Sequence, residues 1–324
     1  MKRISVLVLA TSLVGAAVLL ALPTLSLAGD DASYMVKLPP GASQTAIFSR
    51  ARWTVGDTVP GIYLEPPWGS RADVRADGSY ADGIWTVMLT RTLATITPTQ
   101  DVQFDSLATG TTFPFSVAVF DDAGGEPSTM WIQDVSSYLL GNVGTGADLE
   151  AVNETPGSAV AFTGTPMTTT GGSGASPVTL RAAYDDQNVY VLATWTDMTM
   201  TKSIRKNWWT YDGQQWSQSG NEDRVMLMWN INTSDWSGCA VYCHVGESQG
   251  HGGRMRTNNP GETVDMWHWK AARSNPMNVA DDKHFVYDAP EGNLKTRKGD
   301  DGAAADHDNK NSAGTLPLYK PKSD

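Results

Sequence analysis

The chain has 324 residues, room for one large domain or two modest ones, and 40% of them are hydrophobic, enough for a substantial core. Its 24 basic residues stand against 35 acidic ones, and the net charge of -11 excludes an electrostatic nucleic-acid binder. The 31 Gly, 12 Trp and 10 Tyr beside only 7 Phe favour a turn-rich, all-β protein over a helical one.

Lys2 and Arg3, the apolar run from Ile4 to Leu25 and the small residues of Ser26-Leu27-Ala28 read as a signal peptide over residues 1–28. The long apolar run leaves an uncleaved membrane anchor as the alternative. Either way the body of the protein is expected outside the cytoplasm, in the periplasm or the extracellular space, with a membrane partner only if the segment stays uncleaved. No later stretch is apolar for long enough to span a bilayer.

Residues 29–140 make a first half. After a polar lead-in, strands are predicted at Ala51–Val55, at Asp73–Ala76 closed by Asp77-Gly78, at Ile84–Arg91, at Asp101–Phe104 and at Phe113–Phe120. Residues 141–178, rich in Gly, Thr, Ser and Pro, read as a linker or long loop with a short strand at Ala159–Phe162. The second half, 179–288, opens as strand, turn, strand: Val178–Ala183, then Tyr184–Asn188, then Val189–Trp195. Lys206–Gln218 reads as a Trp-rich surface loop and Val225–Trp229 as a strand, while Asp265–Ala272 fits a strand or a short helix. Residues 289–324, charged and almost without aromatics, read as a mostly disordered tail. The sum is an antiparallel β-sandwich of roughly ten strands whose long loops carry function.

The chemistry concentrates between Ser237 and Arg273, which holds both cysteines and three of the five histidines. Cys239, Cys243 and His244 form C-x-x-x-C-H, one residue longer than the C-x-x-C-H of c-type haem attachment. Three readings stay open on the residues alone. The cysteines bind haem covalently with His244 as an axial ligand; or they form a Cys239–Cys243 disulfide, which export also permits; or Cys239, Cys243, His244 and His251 hold zinc. His268, between Trp267 and Trp269, is a core histidine or a second axial ligand, and Lys270 a strand-edge lysine or a pocket residue. Met130, Met255 and Met266 enter only because thioether sulfur is a soft axial ligand, since methionine more often packs.

Several stretches together resemble a known family. They are L-R-A-A-Y-D-D-Q-N-V-Y-V-L-A-T-W-T-D (180–197), E-D-R-V-M-L-M-W-N (222–230), G-C-A-V-Y-C-H (238–244) and V-D-M-W-H-W-K-A-A-R (264–273). In the first half they are G-D-T-V-P-G-I-Y-L (56–64), A-D-G-I-W-T-V-M-L-T-R-T-L (81–93), D-V-Q-F (101–104) and F-P-F-S-V-A-V-F-D (113–121). The chain resembles the haem-binding domain related to the ethylbenzene dehydrogenase γ subunit, a family that covers haem subunits of dimethyl-sulfoxide-reductase-type enzymes and related exported cytochromes. The resemblance implies a β-sandwich that holds haem and passes electrons without bond chemistry. It implies c-type haem on Cys239 and Cys243 with His244 as axial ligand, b-type haem being the alternative. It draws Trp267, Trp269 and Lys270 into the cofactor pocket, and leaves Met130, Met255 or His268 for the second iron face. The partners it implies are redox proteins, a molybdenum enzyme or another electron-transport complex among them.

The family's closing strands come first in this chain, an order that fits a circular permutation or an exchange of halves between chains. Permutation within one chain predicts that Pro317–Tyr319 lies beside the segment Ser43–Trp53. Two other function classes compete: a carbohydrate-binding module using Trp208, Trp209 and Trp216, its cysteines in a disulfide, and an assembly subunit built by strand exchange.

Overall fold

The computed structural model describes residues 53–109, 111–122, 166–168, 177–234, 236, 256–287 and 296–320. It also gives the backbone of strands Met35–Val36, Ile47–Phe48, Thr129–Val135, Gly141–Asn142, Leu149–Ala151 and Ser158–Val160. Two six-stranded sheets dominate. In the first, the order of neighbours is Gly141–Asn142, Val178–Tyr184, Asn188–Thr196, Ile84–Thr92 and Arg75–Ala81, with Met167–Thr168 also paired to Val178–Tyr184. In the second it is Arg297–Gly299, Asp281–Val286, Thr263–Lys270, Arg224–Asn230, Phe115–Asp121 and Thr129–Val135. All the pairs are antiparallel except the short Gly141–Asn142 edge, which runs parallel to its neighbour. The fold is the expected all-β one.

Local chemistry sets the hairpins. Asp185 Oδ1 accepts from the backbone N–H groups of Gln187 and Asn188, and the Tyr190 hydroxyl donates to its Oδ2 at 2.7 Å. That side-chain turn joins Val178–Tyr184 to Asn188–Thr196, the predicted strand, turn and strand. Asp82 (φ 49) and Gly83 (φ 75) are both left-handed and make the tight turn after Ala81. The strand thus runs on through Asp77-Gly78, where an end is predicted. Gly78 is needed for a different reason: a Cβ there would meet the Trp269 ring at 2.4 Å. The Asn275 side chain also bonds both the N–H and the C=O of Gly78.

The core lies between the two sheets. Val74, Trp85, Val87, Leu89, Val189, Val191 and Trp195 from the first pack with Val117, Val225, Leu227, Trp229, Trp267 and Trp269 from the second. Trp85 meets Trp269 edge-to-face at 5.0 Å, and Trp229 lies 5.2 Å from Trp267. Burying one such ring is worth roughly 4–6 kcal/mol at about 25 cal/mol per Å².

Four other expectations change. Trp53–Val55 is not a strand, because Asp57 caps Thr54 through the Thr54 N–H and hydroxyl and closes a turn. Asp101–Phe104 is a loop held by buried side chains described below. Lys206–Gln218 is a hairpin, Trp208–Tyr211 against Trp216–Ser219, also paired to Thr58–Val59. The C-terminal stretch is not a disordered tail over its described length. Arg297–Gly299, Gly302–Ala303 and Asp306–Asp308 all pair with other strands. Asn309 is fully buried and fixes this region: its amide donates to Pro60 and Tyr319 carbonyls and its oxygen accepts from Leu318 and Tyr319. The short strand in the linker forms at Ser158–Val160, paired to Leu149–Ala151. Ile47–Phe48 pairs with Tyr319–Lys320, so the two ends of the sandwich lie side by side, as permutation within one chain requires.

Candidate functional site

The second sheet is covered on both faces: all eight residues of Thr263–Lys270 are buried. Alternation sends Asp265, Trp267 and Trp269 inward between the sheets, and Val264, Met266, His268 and Lys270 to the outer face. That outer face is apolar and rich in thioethers. Ala118, Met226, Met228, Val264, Met266 and Phe285 form one buried cluster, with Phe120 and Trp236 packed against it.

His268 stands in this face, with Met226 on one neighbouring strand and Asp281 on the other. It is 5% exposed, and neither ring nitrogen has a hydrogen-bond partner. Burial, reinforced by the charges of Lys270, Lys283 and Arg224, holds its pKa well below the usual imidazole range. The ring is therefore neutral, with a lone pair pointing at no donor, which is the state in which histidine binds a metal. An imidazole buried without partners costs roughly 1–3 kcal/mol per unmet group, so packing alone gives no reason for it.

Lys270 shares the face and is committed to acids. Its ammonium bonds Asp281 and lies 3.6 Å from Asp306. Asp281 also binds Arg71 at 2.8 Å and Lys283 at 2.6 Å. Burial alone would raise the Asp281 pKa, but Lys270, Lys283 and Arg71 hold it well below the usual carboxylate range. Trp267 and Trp269 lie on the opposite face from His268, with their N–H groups on Asp265 and Asn275. Met130 is opposite Phe120, in the cross-strand row Met130, Phe120, Arg224, Lys270. Its strand is three strands from that of His268, about 14 Å at the usual inter-strand spacing.

Cys239, Cys243, His244, His251 and Met255 lie outside the described residues. The described residues that flank them are informative. Trp236, three positions before Cys239, packs on the Met226–Met266 cluster. Thr257, after Met255, is fully buried and its N–H donates to the Val286 carbonyl at 3.2 Å. Both flanks are thus anchored on the second sheet, the earlier one on the face that carries His268.

The aromatic platform of the carbohydrate reading is not free. Trp209 is 2% exposed and its N–H donates to Asn309 O at 2.7 Å. Trp216 is in edge-to-face contact with Trp53 at 4.6 Å, and Arg205 lies over Trp208.

Two buried acidic groups carry no role in the sequence reading. In one, Asp121, Asp197 and Asp223 approach one another at one end of the sandwich. Burial raises Asp121 to about 6, helped by the charges of Asp197 and Asp122, and raises Asp223 to about 7 against the N–H bonds it accepts from Ser203 and Trp85. The other surrounds Arg91, which is buried completely between the sheets. Its Nη1 donates to Asp265 Oδ2 at 2.7 Å and its Nη2 to the Val102 carbonyl, and its guanidinium lies 4.9 Å from the Trp267 ring centre. Val102 N–H also donates to Asp265. These bonds hold the Asp101–Phe104 loop. The residues were visible as L-T-R, D-V-Q-F and V-D-M-W, but nothing in the spacing of 91, 101 and 265 says that they meet.

A family model described as ethylbenzene dehydrogenase matches residues 20–130 and 150–323 of the chain. No curated protein and no solved structure matches it.

Proposed function

The chain belongs to the ethylbenzene dehydrogenase family, and from that premise we propose that it is an exported haem protein that passes electrons and performs no bond chemistry. The residues fit the group. A haem needs a strong axial donor and an apolar wall. The observation that carries the reading is His268, neutral, buried and without a partner at either nitrogen, set among Met226, Met228, Met266 and Phe120.

In this reading haem, when bound, supplies a one-electron carrier. His268 and His244 would hold the iron through their imidazole nitrogens. Cys239 and Cys243 bond the porphyrin edge. Cys239 follows by three residues Trp236, which packs on the methionine cluster. The methionines and Phe120 exclude water and keep the surroundings of the iron apolar, a lever on potential. Lys270, Asp281 and Arg71 form a charged border that holds the strand ends. With both histidines given to the iron, the chain would pass electrons to and from redox proteins, a molybdenum enzyme among the candidates. The N-terminal segment 1–28, read as a signal peptide, supports a mature protein in the periplasm or outside the cell.

His268→Leu tests the ligand assignment with two readouts. The haem-free variant is expected to gain roughly 1–3 kcal/mol, because an unpartnered polar group is removed. The haem-loaded variant is expected to lose the absorption bands of a bis-histidine iron. An unchanged spectrum removes His268 from the site.

A further inference from the structure

The outer face of the second sheet changes character along its strands. On Thr263–Lys270 its residues run Val264, Met266, His268, Lys270, apolar at one end and charged at the other, with the unpartnered imidazole between. The neighbouring strands follow the same gradient. Met228 lies beside Met266, and Arg224 beside Lys270. On the other side Phe285 is opposite Val264, and Asp281 is opposite His268.

The two ends are built differently. At the apolar end Trp236 packs on the methionine cluster, and the turn before it is tied to the start of the strand. Ser234 N–H donates to Glu262 at 3.2 Å, and Thr263 N–H donates to Asn232 at 2.7 Å. At the charged end three cations meet one carboxylate. Asp281 Oδ1 accepts from Arg71 Nε at 2.8 Å, and its Oδ2 from the Lys270 and Lys283 ammoniums, the latter at 2.6 Å. The next acids are shared as well. Asp306 lies 3.6 Å from Lys270 and 3.5 Å from Arg273, and Glu222 takes both Arg273 and Arg224. Five cations thus stand on three carboxylates, an excess of two positive charges among the described residues. An ammonium has three donors, and among the described residues Lys283 is bonded to Asp281 alone. None of the five side chains is more than 21% exposed, too covered for a docking protein to meet. What answers them is a pair of carboxylates on a ligand seated beside His268.

Given the haem of the reading above, we infer that Lys283, Arg71 and Lys270 anchor its two propionate carboxylates at the charged end of this face, so that its vinyl edge turns toward Trp236. A haem is apolar along one edge and carries both carboxylates on another, so the gradient from Val264 to Lys270 admits it in one orientation. That orientation is the one thioether attachment needs, because those bonds form at the vinyl edge and Cys239 follows Trp236 in the chain. His268 then acts on the iron and the three cations on the carboxylates, two separate contributions to binding.

The experiment is absorption titration of the full chain, expressed without haem attachment, with iron protoporphyrin and with its dimethyl ester. The ester keeps the iron and the ring and removes both negative charges. The wild type is expected to bind the free acid at least about tenfold tighter than the ester, the worth of one charge-assisted hydrogen bond. Lys283→Met and Arg71→Met are each expected to narrow that preference several-fold and to leave the affinity for the ester unchanged, which also shows that the variant is folded. Lys310→Met, at an exposed lysine paired with Asp308, is expected to keep the preference whole. His268→Leu is expected to weaken both ligands alike. Equal affinity of the wild type for acid and ester overturns the inference and leaves the haem reading standing, and this comparison needs no variant to fold. A preference that survives both Lys283→Met and Arg71→Met, or that Lys310→Met removes, overturns it too. A wild type that binds neither porphyrin overturns the haem reading and the anchors with it.

Discussion

Replacing Arg91 by methionine keeps the length and apolar stem of the side chain and deletes its charge. In the structure this leaves Asp265, fully buried, without the 2.7 Å ion pair, and the Val102 carbonyl without its donor. Removing one member of a buried pair costs about 3–5 kcal/mol, because the remaining charge is stranded. Deleting both charges costs less, since no stranded ion is left. Arg91→Met is therefore expected to lose about 3–5 kcal/mol, and Arg91→Met with Asp265→Asn to recover part of it. Urea unfolding followed by tryptophan fluorescence measures both, with an unchanged slope as the sign that only stability moved. A loss below about 1 kcal/mol, the range of an exposed pair, refutes the reasoning. Strict additivity of the two substitutions refutes it too.

Asp223 and Asp121 titrate at about 7 and about 6 in the fold, against a carboxylate value of 3.8. A raised folded pKa means that the folded state holds the proton more tightly. Its stabilisation is present at low pH and is lost as pH rises through the folded values. Wild type should therefore lose stability relative to Asp223→Asn between about pH 4 and 7, by a few kcal/mol at about 1.4 kcal/mol per unit, as pH-dependent melts would record. The opposite slope contradicts the burial argument. Gly78→Ala drives a methyl into the Trp269 ring, and should cost about 1–3 kcal/mol by denaturant titration. Asn309→Ala leaves several backbone groups of the C-terminal segment unmet and should cost about 2–4 kcal/mol, with limited proteolysis now cutting after Asp308. Unchanged protection of that segment contradicts the role given to Asn309.

What was legible in the sequence was local. Asp185 and Asn188 announce a hairpin because a short polar side chain writes its turn into neighbouring residues, and the hairpin forms there. Asp77-Gly78 carries the same signal for another cause, the close approach of Trp269 from a strand almost two hundred residues away. The C-terminal stretch is polar because it makes short edge pairings around Asn309, not because it lacks structure. In the candidate site, the sequence brings His268, Trp267, Trp269 and Lys270 forward as one cluster. Alternation divides it, and only His268 and Lys270 reach the methionine face. With both faces buried, polarity does not reveal which side of that strand is which. The carboxylates around Arg91 come from residues 73, 101, 265, 282 and 300, and no periodicity links them.

The central claim, covalent haem carried against the His268 face, is tested most directly by the pyridine haemochrome spectrum of the full chain, matured by a cytochrome c assembly system and then extracted with acidified acetone. The account predicts a c-type haemochrome that stays with the polypeptide. A chain without haem absorbance, its two cysteines joined in a disulfide, would contradict it.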